Sequence, residues 1–277
     1  MDQLEFTMKQ LTTLLTCLFL LSACRETPKP ATEAADSSAE NEMAIEEGTP
    51  FPTELKRILD AHGGLALWRT QRTLSFELGD EEGRERHTVD LWSRKDRVET
   101  ESYSLGFDGN GTWLLDPEKQ YEGNAEFYHN LMFYFYAMPF VLADDGIRYS
   151  QAEDLVFEGK HYPGLRISYG EEVGASPDDE YVIHYDPDTG QMAWLGYTVT
   201  YFSGEPSGDF RWIRYDDWNR VGGLLLPASI TWYTYQGRQP LEVRSTVRFE
   251  RGSAAEVAMP GDFYKKPEGI PYWEAEQ

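Results

Sequence analysis

Apolar side chains recur at every second position through most of the chain after residue 73, and this period of two predicts strands. TLSFEL (Thr73–Leu78), RHTVDLWS (Arg86–Ser93) and DRVETESY (Asp96–Tyr103) come first, the last two with charges along one face. LGFDGNGTWLL (Leu105–Leu115) predicts a hairpin around Asp108-Gly109-Asn110-Gly111, whose residues accept positive φ. GLRISYG, EYVIHYD, DFRWIRYDDW, SITWYTYQ and LEVRSTVRFERG are further strands, and Asp186 to Gly190 (DPDTG) is a tight turn. From Gln191 to Ser203 both faces are apolar, with Met192, Trp194 and Phe202 on one and Leu195, Tyr197, Val199 and Tyr201 on the other. That pattern predicts a central strand covered on both sides. LEVRSTVRFE instead predicts a half-exposed strand, with Val243, Val247 and Phe249 inward and Arg244, Arg248 and Glu250 outward.

The period is helical in two places. Leu55, Ile58 and Leu59 share a face, predicting a helix from an N-cap at Thr53 to His62, stopped by Gly63-Gly64 and followed by a short turn at LALW. The second is the segment Glu126 to Val141, which includes LMFYFYAMPFVL (Leu131–Leu142), twelve uncharged residues of which five are aromatic. It is too short to span a bilayer, which takes about 20 apolar residues, and Pro139 should end or kink a helix near Ala137. A sheet of ten to eleven antiparallel strands must curl. The expected fold is therefore mainly β (α+β), an open half-barrel with an N-terminal helix and this aromatic helix on its concave side. The helix either plugs the interior as core or leaves a cavity for an apolar ligand. Met132, Phe133, Phe135, Tyr136, Met138 and Phe140 on the segment, with Trp92, Trp113, Trp194, Trp212 and Trp232 on the sheet, are the candidate cavity wall. His129, Asn130, Asp144, Arg148 and Arg214 are candidates for its mouth, where helix caps and surface ion pairs explain them equally well.

The ends change the picture. Met8-Lys9-Gln10 and the short apolar run after it, closing on Leu21-Ser22-Ala23-Cys24, have the layout of an export signal. The last four residues resemble a bacterial lipobox, which implies a signal peptide over 1–23 and a lipid carried on Cys24. Residues 24–50 are acidic, proline-containing and poor in bulky apolar side chains, and read as a disordered tether. Residues 51–277 read as a single domain. Of the two cysteines, Cys17 falls within the signal, so the folded part has neither a disulfide nor a thiol nucleophile. From Phe51 onward 39 acids face 22 bases. A field of that sign disfavours nucleic acid and anionic head groups, leaving the N-terminal lipid as the expected membrane attachment. Arg25 after Cys24, by resemblance to lipoprotein sorting rules, implies the outer membrane facing the periplasm; Glu26 keeps surface exposure open.

Lipobox, tether, N-terminal helix, interposed apolar helix and the DPDTG turn together resemble the LolA/LolB-like group of periplasmic lipoprotein carriers and receptors, which have an eleven-stranded open barrel capped by helices. HGGLALW (His62–Trp68), HNLMFYFYAMPFVLADDGIRY (His129–Tyr149), SPDDEYVIHYDPDTGQMAWLGYTVTYF (Ser176–Phe202) and RYDDW (Arg214–Trp218) resemble, more closely, an uncharacterised lipoprotein family of Gram-negative bacteria, over Leu55 to about Tyr235. The wider resemblance implies binding of a lipid or other apolar ligand.

No Gly-x-Ser-x-Gly, His-Glu-x-x-His, Walker loop or dinucleotide fingerprint occurs. The five histidines are scattered singly, and Asp108 to Gly111 lacks the bidentate glutamate of a calcium loop. The expectation is a non-enzymatic envelope lipoprotein without cofactor or metal that binds an apolar ligand, lipid or protein-linked lipid. A lipid-anchored scaffold recognising an envelope protein partner, and a carboxylate-dependent hydrolase, are the two rivals.

Overall fold

The structure is a computed structural model that describes residues 51–277 apart from 81–82, 170–179, 199–209 and 275–277. The export signal, Cys24 and the tether lie outside the described residues, as do Val199, Tyr201 and Phe202.

Helix α1 (Thr53–Ala61) buries Leu55, Ile58 and Leu59, as their spacing predicts. Pro52, not Thr53, occupies the N-cap, since proline's fixed φ suits a helix entrance and its missing N–H costs nothing there. The chain turns through Gly63 at φ +109°, where a Cβ would lie 2.9 Å from the carbonyl oxygen of Gly223, so both conformation and space require glycine. Helix α2 (Leu65–Thr70) follows and buries Trp68.

The strands divide between two antiparallel sheets and do not form one half-barrel sheet. β1 (Thr73–Leu78), β2 (Glu85–Asp90), β3 (Asp96–Glu99), β4 (Ser104–Phe107) and β5 (Thr112–Leu115) run in order through the first. β6 (Ile147–Phe157), β7 (Lys160–Tyr169), β8 (Tyr181–Tyr185), β9 (Met192–Tyr197), β10 (Arg211–Val221), β11 (Leu224–Gln236) and β12 (Gln239–Arg248) form the second. β13 (Glu250–Ala255) closes the first sheet by pairing with β1. β12 and β13 are separated by Phe249 alone, so one stretch of chain leaves β11 and joins β1. Strands that switch partners in this way make the corners of two-sheet folds.

Thirteen strands are present among the described residues, against the ten to eleven expected. β6 does not stand out because a bulge between Ala152 and Leu155 breaks its alternation, and LEVRSTVRFERG divides at the switch. Val243 is 61% exposed, not inward, because β12 is an outer strand of its sheet and only its last residues reach the core. Met192 packs in the main core while Trp194 does not, since a bulge between His184 and Tyr185 breaks the two-residue alternation there.

One core takes side chains from both sheets, among them Leu74, Phe76 and Val89 from the first and Leu165, Ile183, Leu195 and Ile213 from the second. A second aromatic cluster of Trp194, Phe210, Trp212 and Tyr233 lies on the opposite face of the seven-stranded sheet.

Candidate functional site

The aromatic segment is not one helix. Asn124 caps α3 (Ala125–Tyr128) by accepting from the amide of Phe127, α4 (Leu131–Tyr136) follows, and a single 3-10 turn (Phe140–Ala143) ends the segment. Pro139 lacks an N–H and excludes helical continuation, so α4 stops at Tyr136, close to the expected break.

Met132, Phe133, Phe135, Tyr136, Met138 and Phe140 are all buried in the main core. Tyr136 lies 4.4 Å from Phe76 on β1 and 4.7 Å from Phe249 at the switch between β12 and β13, measured between ring centroids. Phe135 meets Trp232 edge-on at 5.7 Å, and its carbonyl accepts from the Tyr215 hydroxyl, both on the second sheet. Phe140 stacks on Trp68 of α2. The segment therefore fills the space between the sheets as core. Tyr134 is the aromatic that looks outward.

Of the five tryptophans expected beside it, Trp232 alone packs against this core. Trp194 and Trp212 belong to the outer cluster, because alternation along β9 and β10 gives Leu195 and Ile213 to the interior and their neighbours to the other face. Trp113 lies on the outer face of the first sheet, its Nε1–H donating to the carbonyl of Tyr264 in the C-terminal segment. Trp92 is 64% exposed beneath the guanidinium of Arg72. The first-sheet and outer-cluster indoles thus do not form a common cavity wall with the segment.

The expected mouth residues also separate. Arg214 lies over Phe157 and Trp194 on the far face of the second sheet. Arg148 is exposed on β6, and Asn130 sits at the N-cap of α4 without a side-chain bond. Asp144 and His129 do meet the segment. Both carboxylate oxygens of Asp144 accept from Nη2 of Arg94 at 2.6 Å, and the Arg94 guanidinium covers the ring of Phe133. Burial raises the Asp144 carboxyl against the pull of Arg94. His129 Nδ1 is 2.6 Å from Asp96 Oδ2, both side chains buried, and desolvation raises the Asp96 carboxyl despite that partner.

A second buried group has no counterpart in the expected site. Glu85 Oε2 accepts from the Tyr128 hydroxyl at 2.5 Å and lies 3.1 Å from His87 Nε2, and Oε1 accepts from Tyr103. Burial opposes ionisation of Glu85, yet the bonds from His87, Tyr128 and Tyr103 hold its carboxyl below the ordinary range. Its sequence signal is slight: Glu85 falls just before the predicted run Arg86–Ser93, although a spacing of two sets it on the face of His87 and Val89. His129, Asp96, Glu85 and His87 lie away from the two surface clefts of the domain and line neither. Among the described residues no group of three or more His, Cys, Asp or Glu is placed to hold a metal ion, and no helix is long and apolar enough to cross a membrane.

The aromatic segment reaches the surface at a cleft of about 190 Å³ between α2, the end of β2 and the 3-10 turn. Leu65, Trp68, Leu91, Phe140 and Ala143 supply apolar walls; Arg69, Arg94, Asp144 and Asp145 supply charge, and Trp92 stands at its edge. The buried rings of Trp68 and Phe140 back this cleft from within the core, and the surface open to an amphipathic group is that of Leu65, Trp92 and the charged side chains.

Residues 100–217 match the model of a family of unknown function (DUF6503), inside the stretch marked by the sequence motifs. No curated protein matches the chain. Among solved structures, a LolA superfamily protein from Nitrosomonas europaea is similar at 11% identity over 71% of this chain and 89% of that one, with a TM-score of 0.42. A DUF1329 family protein from Desulfovibrio piger is similar at 12% identity over 75% and 97% of the two chains, with a TM-score of 0.43.

Proposed function

We propose that this chain, matched over residues 100–217 by a family of unknown function, is a non-enzymatic envelope lipoprotein that takes the end of an acyl chain or other lipid beside Trp68 and Phe140. The observation that carries the reading is the cleft itself, apolar walls joined to the aromatic core and charged groups around them. Its volume of about 190 Å³ decides how much can enter. Sites for whole small molecules run roughly 300–1,000 Å³, so the cleft holds a chain end and not a complete lipid. Deeper occupancy requires the Phe140–Ala143 turn to swing away. A lipid on Cys24 holds the domain at the outer membrane in this reading.

A protein-partner reading has one observation in its favour: Leu241 and Val243 are exposed on the outer strand β12. The two readings separate in one experiment. The full chain carrying Cys24→Ser, so that the anchor brings no lipid of its own, is purified from cells without detergent and weighed by native mass spectrometry. A stoichiometric co-purified lipid, lost in an Ala143→Trp variant with unchanged circular dichroism, supports the lipid site. A mass that stays free of ligand after incubation with phospholipid vesicles sinks it and leaves the protein partner.

A further inference from the structure

On the outer face of the first sheet, away from the aromatic core, three arginines converge on one glutamate. Glu77 lies directly across from Arg86, which lies across from Glu99. Arg86 gives Nε–H and Nη2–H to Glu77 Oε1 at 3.1 and 2.9 Å, and Arg84 and Arg251 give Nη1–H to Oε2 at 2.9 and 2.8 Å. The Glu77 side chain is 5% exposed and those of Arg86 and Arg251 about 60%. Above them is a cleft of about 450 Å³, lined further by Glu99, Thr100 and Glu101.

We propose that this cleft binds a phosphate-class oxyanion, with Arg84, Arg86 and Arg251 as its donors and Glu77 as the buried post that fixes them. A carboxylate offers about four lone-pair positions, and the four bonds it accepts here fill them; three guanidiniums carry about fifteen donors. Most of that capacity is left for a ligand. Three guanidiniums exceed the Glu77 carboxylate by two charges, Glu99 is engaged by Arg97 at 2.9 Å, and Glu101 on the rim takes the excess to one.

The chain carries a net charge of −23, which repels an anion at long range. At physiological salt that field is screened over about 8 Å, while the planar forks act at contact distance, where guanidiniums match oxyanions in pairs of bonds. The backbone is bent toward the same end. β13 carries a bulge opposite Ser75 and Glu77, and within it Arg251 adopts φ +49°, a conformation that side chains other than glycine rarely take. Strain of this kind collects at binding sites. Here it delivers the third guanidinium.

The test uses the full chain with Cys24→Ser, titrated by calorimetry with inorganic phosphate and, separately, with dihexanoyl phosphatidylglycerol below its micelle concentration. Saturable phosphate binding weakened about tenfold or more by Arg86→Gln and by Arg251→Gln is expected. Both side chains are largely exposed, so neither change removes core packing. Equal or tighter binding of inorganic phosphate assigns a free oxyanion, and tighter binding of phosphatidylglycerol assigns a lipid head group. The proposal is overturned if neither probe binds the unaltered chain at about 10 mM, or if the double variant, folded by circular dichroism, binds as well as the unaltered chain.

Discussion

Trp68 lies flat on Phe140, ring centroids 4.8 Å apart and planes 7° from parallel. The pair ties the short helix α2 to the last turn of the aromatic segment, and it forms the deep side of the smaller cleft. Both rings are buried, so the contact belongs to the core and backs the proposed lipid site from behind.

Trp68→Ala should cost about 3–5 kcal/mol of stability, the range for removing a large buried aromatic. Urea unfolding at neutral pH reads this as a lower midpoint with unchanged slope. A loss under about 1 kcal/mol would mean that the neighbouring turn collapses into the space.

Gly252 faces the hydroxyl of Tyr136, which a Cβ at position 252 would overlap, while the ring carbon behind it would be 3.4 Å away. Gly252→Ala should destabilise by about 1–3 kcal/mol, and adding Tyr136→Phe should recover most of that loss. A double-mutant cycle measures the coupling. Strict additivity would show that the two sites do not touch.

His62 donates from Nδ1 to the carbonyl of Leu225 and accepts at Nε2 from the amide of Met192, which fixes it as a neutral imidazole. Burial pushes its pKa down to about 4 against the raising effect of the Leu225 bond, and burial does the same at His184. The unfolded chain takes up these protons near pH 6.5 while the folded protein does so only near 4. Stability should therefore be level above about pH 7 and fall between 6.5 and 4, by on the order of 2 kcal/mol per histidine at pH 4.5. Guanidinium midpoints at pH 7.5, 6, 5 and 4.5 check this. Equal midpoints throughout would refute it.

Tyr128→Phe removes a 2.5 Å bond to the Glu85 carboxylate. A charge-assisted bond to a buried group is worth about 1.5–3 kcal/mol, so thermal unfolding should drop by several degrees. The Glu85 carboxyl should also titrate higher, since Tyr128 is one of the partners that lower it. Carbon-detected NMR of Glu85 would read an unmoved titration if the hydroxyl carries no weight.

Much of this fold was legible because local chemistry and tertiary structure agree. β1 occupies the run predicted for it, and Asp186 builds the expected turn by accepting the amides of Asp188 and Thr189, with Gly190 at φ +77°. Ion pairs were not legible. Alternation sets Glu77 on the polar face of its strand with Thr73 and Ser75, yet it is buried among three arginines, and one of them, Arg251, is 174 residues away in the chain. The tryptophans were misplaced for a related reason: a residue's size says that it will be buried, while strand register decides in which of several clusters. Trp92 escapes burial altogether because Asp90 accepts the amides of Trp92 and Ser93 and turns the chain outward after β2.

The passage of chain from β12 through Phe249 into β13 bears on how the molecule comes apart. Each sheet takes one of its outer strands from the same unbroken stretch, and Phe249 itself is anchored in the core they share. Neither sheet can unzip along that side without pulling on the other. Opening should accordingly be all-or-none: the slowest-exchanging amides of β1 and of β11 should report one common free energy, and a single backbone nick beside Phe249 should loosen both.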